Sequence, residues 1–140
     1  MATVSGVNYT LQTNTPVDLV LPVDSAGRVR LLYDTYEAAA LATASTISWG
    51  VLPKGSRPVD FKLWHDDMGT TCTITLGDTL DPDRLLVATA CSAAAGIIVP
   101  VVADIDKFGG YEYTVETIIT SLTSGTFTGT MHLYLFYVMD

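Results

Sequence analysis

The residue types best suited to binding a metal ion lie at 65–67, where His65, Asp66 and Asp67 follow one another. A histidine with two carboxylates is a ligand set that divalent ions accept. However, neighbouring residues of an extended strand point to opposite faces, so His65 and Asp66 diverge unless the turn curls them together. An aspartate-rich turn before a glycine is also ordinary turn chemistry. We therefore predict no metal site and no cofactor.

A second acidic cluster, formed by Asp78, Asp81 and Asp83, lacks the continuation of a calcium-binding loop. Nucleophilic catalysis needs a serine or cysteine with a base within reach, and only His65 and His132 could be that base. No nucleophile motif accompanies either histidine, and no glycine-rich loop leads into a helix to hold phosphate. The sequence therefore predicts that the protein is not an enzyme.

The composition is that of a globular protein, with 49% hydrophobic and only 16% charged residues, and we predict a single domain over residues 1–140. Seven Lys and Arg against 15 Asp and Glu give a net charge of -8, which opposes nucleic-acid binding because phosphates need clustered cations. No apolar run approaches the ~20 residues that cross a bilayer, so we predict no membrane association. Residues 1–10 are expected to form a flexible N-terminal arm without a secretory signal.

The two cysteines show no metal-binding spacing. Cys72 falls in the apolar phase of its segment and Cys91 lies among alanines. Both are predicted to be buried free thiols in a protein made in a reducing cytoplasm.

Alternation of apolar and polar residues predicts antiparallel strands along most of the chain. The clearest segments are 17–23, 29–33, 59–65, 72–76 and 127–139. About eight strands with short turns predict an all-β fold. The expected architecture is an antiparallel β-sandwich, with a jelly-roll topology preferred and at most one or two short helices.

Alanine-rich segments are harder to assign. Residues 34–44 are the best candidate for a helix, with Asp34 or Thr35 as its cap, and a loose connection is the alternative. Residues 85–95 fit either a helix or a buried strand.

Two later segments predict strands. Residues 97–104 are β-branched and apolar, which indicates a buried strand interrupted by Pro100. Residues 111–116 alternate between aromatic or apolar and polar side chains, which is typical of a further strand.

Some large apolar residues fall where a solvent-facing side chain is expected. The outward phase of the last strand changes from threonines to Tyr134, Phe136 and Val138, so this strand is either central in the sandwich or meets another chain. Trp64 lies in the polar phase of its strand, next to His65, which favours a contact surface; the alternative is a tryptophan half-covered by its own loop. We predict that these residues contact a partner protein.

Five short stretches follow one another between about Arg30 and the end of the chain: LPKG at 52–55, DDMG at 66–69, TITLGD at 73–78, DPDRLL at 81–86 and YLFYVMD at 134–140. In this order they resemble the small capsid cement, or decoration, proteins of tailed bacteriophages.

This resemblance implies a jelly-roll virion protein that binds the outer surface of the capsid and cements neighbouring major capsid protein subunits. It further implies synthesis in the cytoplasm of the host bacterium. Such proteins sit at symmetry axes, so self-association is expected, with a homodimer favoured. The alternative is a carbohydrate-binding or adhesion β-sandwich on a phage tail or spike, with Trp64 beside His65, Asp66 and Asp67 as its sugar platform. A metal-dependent enzyme is the third hypothesis.

Overall fold

The computed structural model describes residues 28–91 and 95–139. These residues contain eight strands and one short helix. The predicted strand at 17–23 and the predicted arm at 1–10 lie outside these ranges. Within them, no helix is long and apolar enough to cross a bilayer. In chain order the elements are β1 (Arg28–Leu41), β2 (Thr46–Leu52), β3 (Arg57–His65), β4 (Thr73–Asp78), β5 (Leu86–Ala90), β6 (Gly96–Ile98), α1 (Val102–Phe108), β7 (Thr117–Ser124) and β8 (Phe127–Met139).

The strands form two four-stranded antiparallel sheets, one in the order β1-β8-β3-β6 and the other in the order β2-β7-β4-β5. In these sheets β1 pairs with β8, β2 with β7, β3 with β6, and β4 with β5. The chain is therefore a long antiparallel ribbon wrapped into two sheets, which is the jelly-roll arrangement. The predicted all-β sandwich and its jelly-roll topology are confirmed.

One hydrophobic core fills the space between the two sheets. Its members come from alternate positions of the strands, as the pleat of a strand requires. Each fully buried leucine-sized side chain stabilises the fold by about 1.5–3 kcal/mol. The fully buried contributors include Phe61 and Leu63 of β3, Leu76 of β4, Ile119 of β7, and Met131, Leu133 and Leu135 of β8.

The helix predicted at 34–44 is wrong, because most of this segment belongs to β1, which pairs with β8. Ala38 is buried in the core and Tyr36 packs against it. These positions are two residues apart, which is the spacing of one face of a strand. The ladder and the burial outweigh the helix preference of alanine, which is weak in any one residue.

The buried strand predicted at 97–104 is also wrong over most of its length. β6 ends before Pro100, and α1 begins soon after it. The buried carboxylate of Asp104 accepts the amide of Val101 at 3.0 Å, at the start of the helix, and the amide of Val87 at 3.3 Å. A carboxylate that satisfies free amides at a helix N-terminus favours helix formation there.

Two further segments have different outcomes. Residues 85–95, which fitted a helix or a strand, contain strand β5. The strand predicted at 111–116 is wrong: these residues precede β7 as irregular chain, because Tyr113 bonds to the turn before β3 and not to a strand of either sheet. The carbonyl of Tyr113 accepts the amide of Gly55 at 2.7 Å, and the amide of Tyr113 donates to the carbonyl of Ser56 at 2.9 Å.

The cysteines are buried free thiols, as predicted. They extend the β4-β5 pair, where the amide of Cys91 donates to the carbonyl of Cys72 at 3.0 Å. Burial, helped by the charge of Asp67, raises the pKa of Cys72. Burial and the neighbouring Cys72 raise the pKa of Cys91 to about 12. Both thiols therefore stay protonated at neutral pH.

We expect both cysteines to react with the thiol reagent DTNB far more slowly in the folded protein than in the unfolded protein. The thiolate is the reactive form, and a pKa of about 12 leaves roughly one Cys91 thiol in 10⁴ ionised near pH 8. Absorbance at mild alkaline pH, with and without guanidinium chloride, measures the two rates. Equal rates in the two conditions would contradict the buried placement.

Candidate interaction surface

The outer face of the β1-β8-β3-β6 sheet carries aromatic and apolar side chains where a solvated sheet face usually carries polar ones. Its members lie opposite one another on neighbouring strands, so they form one continuous surface, which we call the aromatic face. The opposed pairs that define it are Leu31 with Phe136, Tyr33 with Tyr134, and Trp64 with His132.

The position of β8 between β1 and β3 creates this surface. Successive residues of a strand point to opposite sides, so the burial of Met131, Leu133 and Leu135 in the core turns His132 and Tyr134 outward. The ladders on both sides of β8 then place the outward residues of β1 and β3 next to them.

Ring contacts order the middle of the aromatic face. The rings of Tyr33 and Tyr134 are 4.8 Å apart between centroids, and the ring of His132 is stacked at 6.3 Å from Tyr33. A hydrogen bond of 3.1 Å joins the Tyr33 hydroxyl to His132 Nδ1. Aromatic pairs of this kind contribute beyond the area that they bury, so these contacts favour the observed arrangement of the rings.

The residues predicted to contact a partner lie in three kinds of place. Trp64, Tyr134 and Phe136 come together on the aromatic face, and Trp64 is 47% exposed. His65 is the last residue of β3 and shares a cleft with Trp64. Val138 is only 5% exposed, so little of its side chain is available to another molecule.

Sequence reasoning missed Leu31, Tyr33 and His132 as members of the surface. Leu31 and Tyr33 are 49% and 48% exposed, although they were expected only to belong to a strand. The available signal was the run of large apolar residues at alternate positions 29, 31 and 33. Nothing in the sequence showed that this run lies beside the end of the last strand.

The turn after β3 uses both of its carboxylates to bind backbone amides. Asp66 Oδ2 accepts the amide of Thr130 at 2.9 Å, and Asp67 Oδ1 accepts the amide of Gly69 at 3.2 Å. His65 Nδ1 donates to the carbonyl of Asp66 at 2.7 Å. Among the described residues no three His, Cys, Asp or Glu side chains are grouped so that they could hold a metal ion.

The second acidic cluster anchors the loop between β4 and β5. Asp78 is 2% exposed, and its Oδ1 accepts the amides of Leu80 at 2.8 Å and Asp81 at 2.9 Å. Its Oδ2 accepts Nε of Arg84 at 2.6 Å. The guanidinium of Arg84 lies 4.3 Å from the centre of the Tyr111 ring. Through these bonds the Asp78 side chain holds the loop between β4 and β5 against the end of β4.

The electrostatics of Asp78 follow from these contacts. Burial by itself would raise the pKa of this carboxyl, but the hydrogen bonds from Arg84 and from the loop amides outweigh burial and lower it. The loop also packs tightly on the strand, because a Cβ at Gly77 would lie 2.2 Å from the carbonyl oxygen of Asp81. Asp83 faces outward and pairs with Lys107 at 3.1 Å.

Solved structures with a similar fold come from bacteriophage capsids. A chain of the capsid asymmetric unit of cyanophage Pam1 has a TM-score of 0.65 at 17% identity, covering 91% of this chain and 97% of that one. A chain of the capsid of Ralstonia phage GP4 has a TM-score of 0.61 at 22% identity, covering 81% and 84%. The shared feature is the fold.

A third similar chain belongs to the acid-stable capsid structure of Helicobacter pylori bacteriophage KHP30, with a TM-score of 0.51 at 13% identity, covering 79% of this chain and 87% of that one. No protein-family model and no curated protein matches the sequence. At these identities the likeness is one of architecture, and it extends over most of each chain.

We expect Asp78→Asn to lower the free energy of unfolding by about 2–3 kcal/mol at neutral pH, because Arg84 loses its charged partner. Since the folded-state pKa of Asp78 lies below the unfolded value of about 3.9, the carboxylate stabilises the fold above that value. Its contribution disappears as the pH falls through the lower folded-state pKa. The gap between wild type and variant should therefore close in strong acid.

Urea unfolding followed by circular dichroism at several pH values measures this gap. Asp106→Asn is the matched control, because Asp106 is exposed on α1. Equal stability of Asp78→Asn and wild type at neutral pH would show that the loop does not depend on this ion pair.

Proposed function

We propose that this chain is a non-enzymatic structural protein of a bacteriophage virion that binds the outside of the capsid and cements neighbouring major capsid protein subunits. The observation that carries the proposal is the likeness of fold to chains in three phage capsid structures, which covers 79% to 91% of this chain. The order of short motifs along the sequence supports the same role independently.

The aromatic face supplies a surface suited to such contacts. Exposed apolar residues that are continuous across strands mark protein interaction sites, whereas single ones do not. Along β1 and β8 the end of the face at Leu31 and Phe136 is apolar, with Tyr33 and Tyr134 in the next row, whereas β3 adds Asp60 opposite Phe136 and Lys62 opposite Tyr134. A protein bound there to two neighbouring subunits would stabilise the assembled lattice by mass action, without any chemical step.

Self-association through the same apolar end is part of the proposal. A surface used on both partners of a two-fold pair must be self-complementary, and a flat row of leucine and aromatic side chains meets that requirement. We propose a homodimer that straddles neighbouring capsid subunits. Trp64 and His65 lie at the other end of the sheet.

The distribution of positive charge favours protein partners over nucleic acid. Of the seven Lys and Arg residues, Arg57 pairs with Glu112, Arg84 with Asp78, and Lys107 with Asp83. Cations that already hold a carboxylate have less charge to offer to phosphates. The net charge of -8 acts in the same direction.

The proposed role is tested by the copy number of this protein in purified particles of its source phage. Quantitative peptide mass spectrometry gives its ratio to the major capsid protein. A ratio within a few-fold of one is expected for a protein that covers the lattice. A handful of copies per particle would indicate a tail or spike protein instead, and absence of the protein from particles would overturn the proposal.

The proposed contact surface is tested by Leu31→Asp and Phe136→Asp. Each places a carboxylate in an apolar contact, so we expect a loss of roughly 2 kcal/mol in association, or about 30-fold in affinity. Analytical ultracentrifugation measures self-association, and co-sedimentation measures binding to capsids that lack this protein.

Ser48→Asp is the matched control, since Ser48 is exposed on β2 of the other sheet. Thermal unfolding by circular dichroism separates lost binding from lost folding. Leu31→Asp is the cleaner variant, because Leu31 is the more exposed of the two. If this variant folds and still associates and binds capsids like wild type, the apolar end is not the contact surface.

A further inference from the structure

An open cleft of about 300 Å³ lies at the Trp64 end of the aromatic face. It is bordered by His65, Asp66, Thr130 and His132. Opposite His65 on the neighbouring strand is Gly96, which adds no side chain to this space. The volume is at the small end of the roughly 300–1,000 Å³ that ligand sites occupy, so the cleft fits a small ligand.

The indole ring of Trp64 gives the cleft an apolar wall. It also borders a second depression of about 250 Å³, together with Tyr33, His132 and Tyr134. The other tryptophan, Trp49, is buried and donates its Nε1 hydrogen to Ser121 at 2.8 Å. Trp64 is by contrast 47% exposed, so its ring is available to a ligand.

Polar groups with unused bonding capacity converge on the same cleft. Because His65 Nδ1 donates to a carbonyl, Nε2 of the neutral ring is an acceptor. Asp66 binds the amide of Thr130 through Oδ2, which fixes the carboxylate and leaves Oδ1 able to accept. The hydrogen bond between the Tyr33 hydroxyl and His132 Nδ1 orients the second imidazole. These groups are held in place before a ligand arrives, which reduces the entropy cost of binding.

We propose that this cleft is a saccharide-binding site, in which a neutral pyranose ring stacks on Trp64 and its hydroxyl groups hydrogen-bond to Asp66 and His65. The C–H face of a sugar ring is apolar and flat, so it matches an exposed indole. The ring edge carries hydroxyl groups, which suit a carboxylate and an imidazole as acceptors. The site goes beyond the proposed capsid role and does not depend on it.

The charge of the cleft separates a saccharide from other flat ligands. A nucleotide could also stack on Trp64, but no Lys or Arg among the described residues borders the cleft. Asp66 would repel a phosphate instead. A purely apolar ligand would leave the carboxylate and the imidazoles without partners, which costs free energy on burial. A neutral sugar satisfies both the ring and the polar groups.

Tryptophan fluorescence of the purified protein tests the site with four probes: the methyl glycosides of β-D-glucose, β-D-galactose, N-acetyl-β-D-glucosamine and α-L-rhamnose. With one stacked ring and few hydrogen bonds, we expect a Kd on the order of 1–10 mM for at least one probe. The protein has two tryptophans, and the buried Trp49 should not respond. Amide chemical shifts in a ¹⁵N-labelled sample should move at Trp64, His65 and Thr130.

Three variants define what the cleft contributes. Trp64→Ala should weaken binding at least about tenfold, because it removes the apolar wall on which the ring stacks, while Trp64→Phe should keep part of it. Ser48→Asp, exposed on β2 of the other sheet, should leave the Kd unchanged.

The possible outcomes separate this proposal from the capsid role. Silence of all four probes at about 50 mM in the wild-type protein, by fluorescence and by chemical shift, overturns the saccharide site. Binding that survives Trp64→Ala in a folded protein also overturns it. If Trp64→Ala fails to fold, the chemical shifts of the wild-type protein still decide. Neither result alters the copy number in virions, which tests the other proposal.

Discussion

The hydrogen-bonded ladders between β8 and its neighbours β1 and β3 decide which side chains face the core and which face outward. A shift of one residue in either register would exchange the two sets. In the observed register the core receives Met131, Leu133 and Leu135. The same register brings residues that are far apart in sequence into one outward surface. The hydrophobic core and the aromatic face are therefore two results of one arrangement of strands.

Local patterns in the sequence were sufficient for the architecture and for part of the surface. The alternation in the last strand identifies both of its faces as far as Phe136, whereas Val138, expected to face outward, is buried. Trp64 stands out in a polar phase. The failures have physical reasons. At 34–44 the alanines favour a helix locally, whereas the pairing partner that makes a strand lies about a hundred residues away. At 97–104 the β-branched residues favour a strand locally, whereas the helix that begins there depends on the bond from the Val101 amide to Asp104. Leu31 and Tyr33 were missed because only the ladder places them beside Phe136 and Tyr134.

The acidic residues show how similar clusters serve different ends. Asp78 is buried and holds a loop closed through Arg84 and backbone amides. Asp66 binds the amide of Thr130, a residue of β8, and so fixes one wall of the cleft beside Trp64. In sequence both look like loop carboxylates near a turn. Their surroundings, which only the fold reveals, distinguish a carboxylate that closes a loop from one that also faces an open cleft.

The ribbon topology also has a consequence for how the molecule is made. β4 and β5 are close in sequence, whereas β1 and β8 are the most distant partners, and contacts between distant segments form at a high entropy cost. A chain that has formed only its central strands has no aromatic face, since that surface needs β1, β8 and β3 side by side. Completion of the fold and formation of the aromatic face are thus the same event. If the aromatic face binds a partner as we propose, a copy in which β1 and β8 are not yet paired cannot compete with a complete copy for that partner.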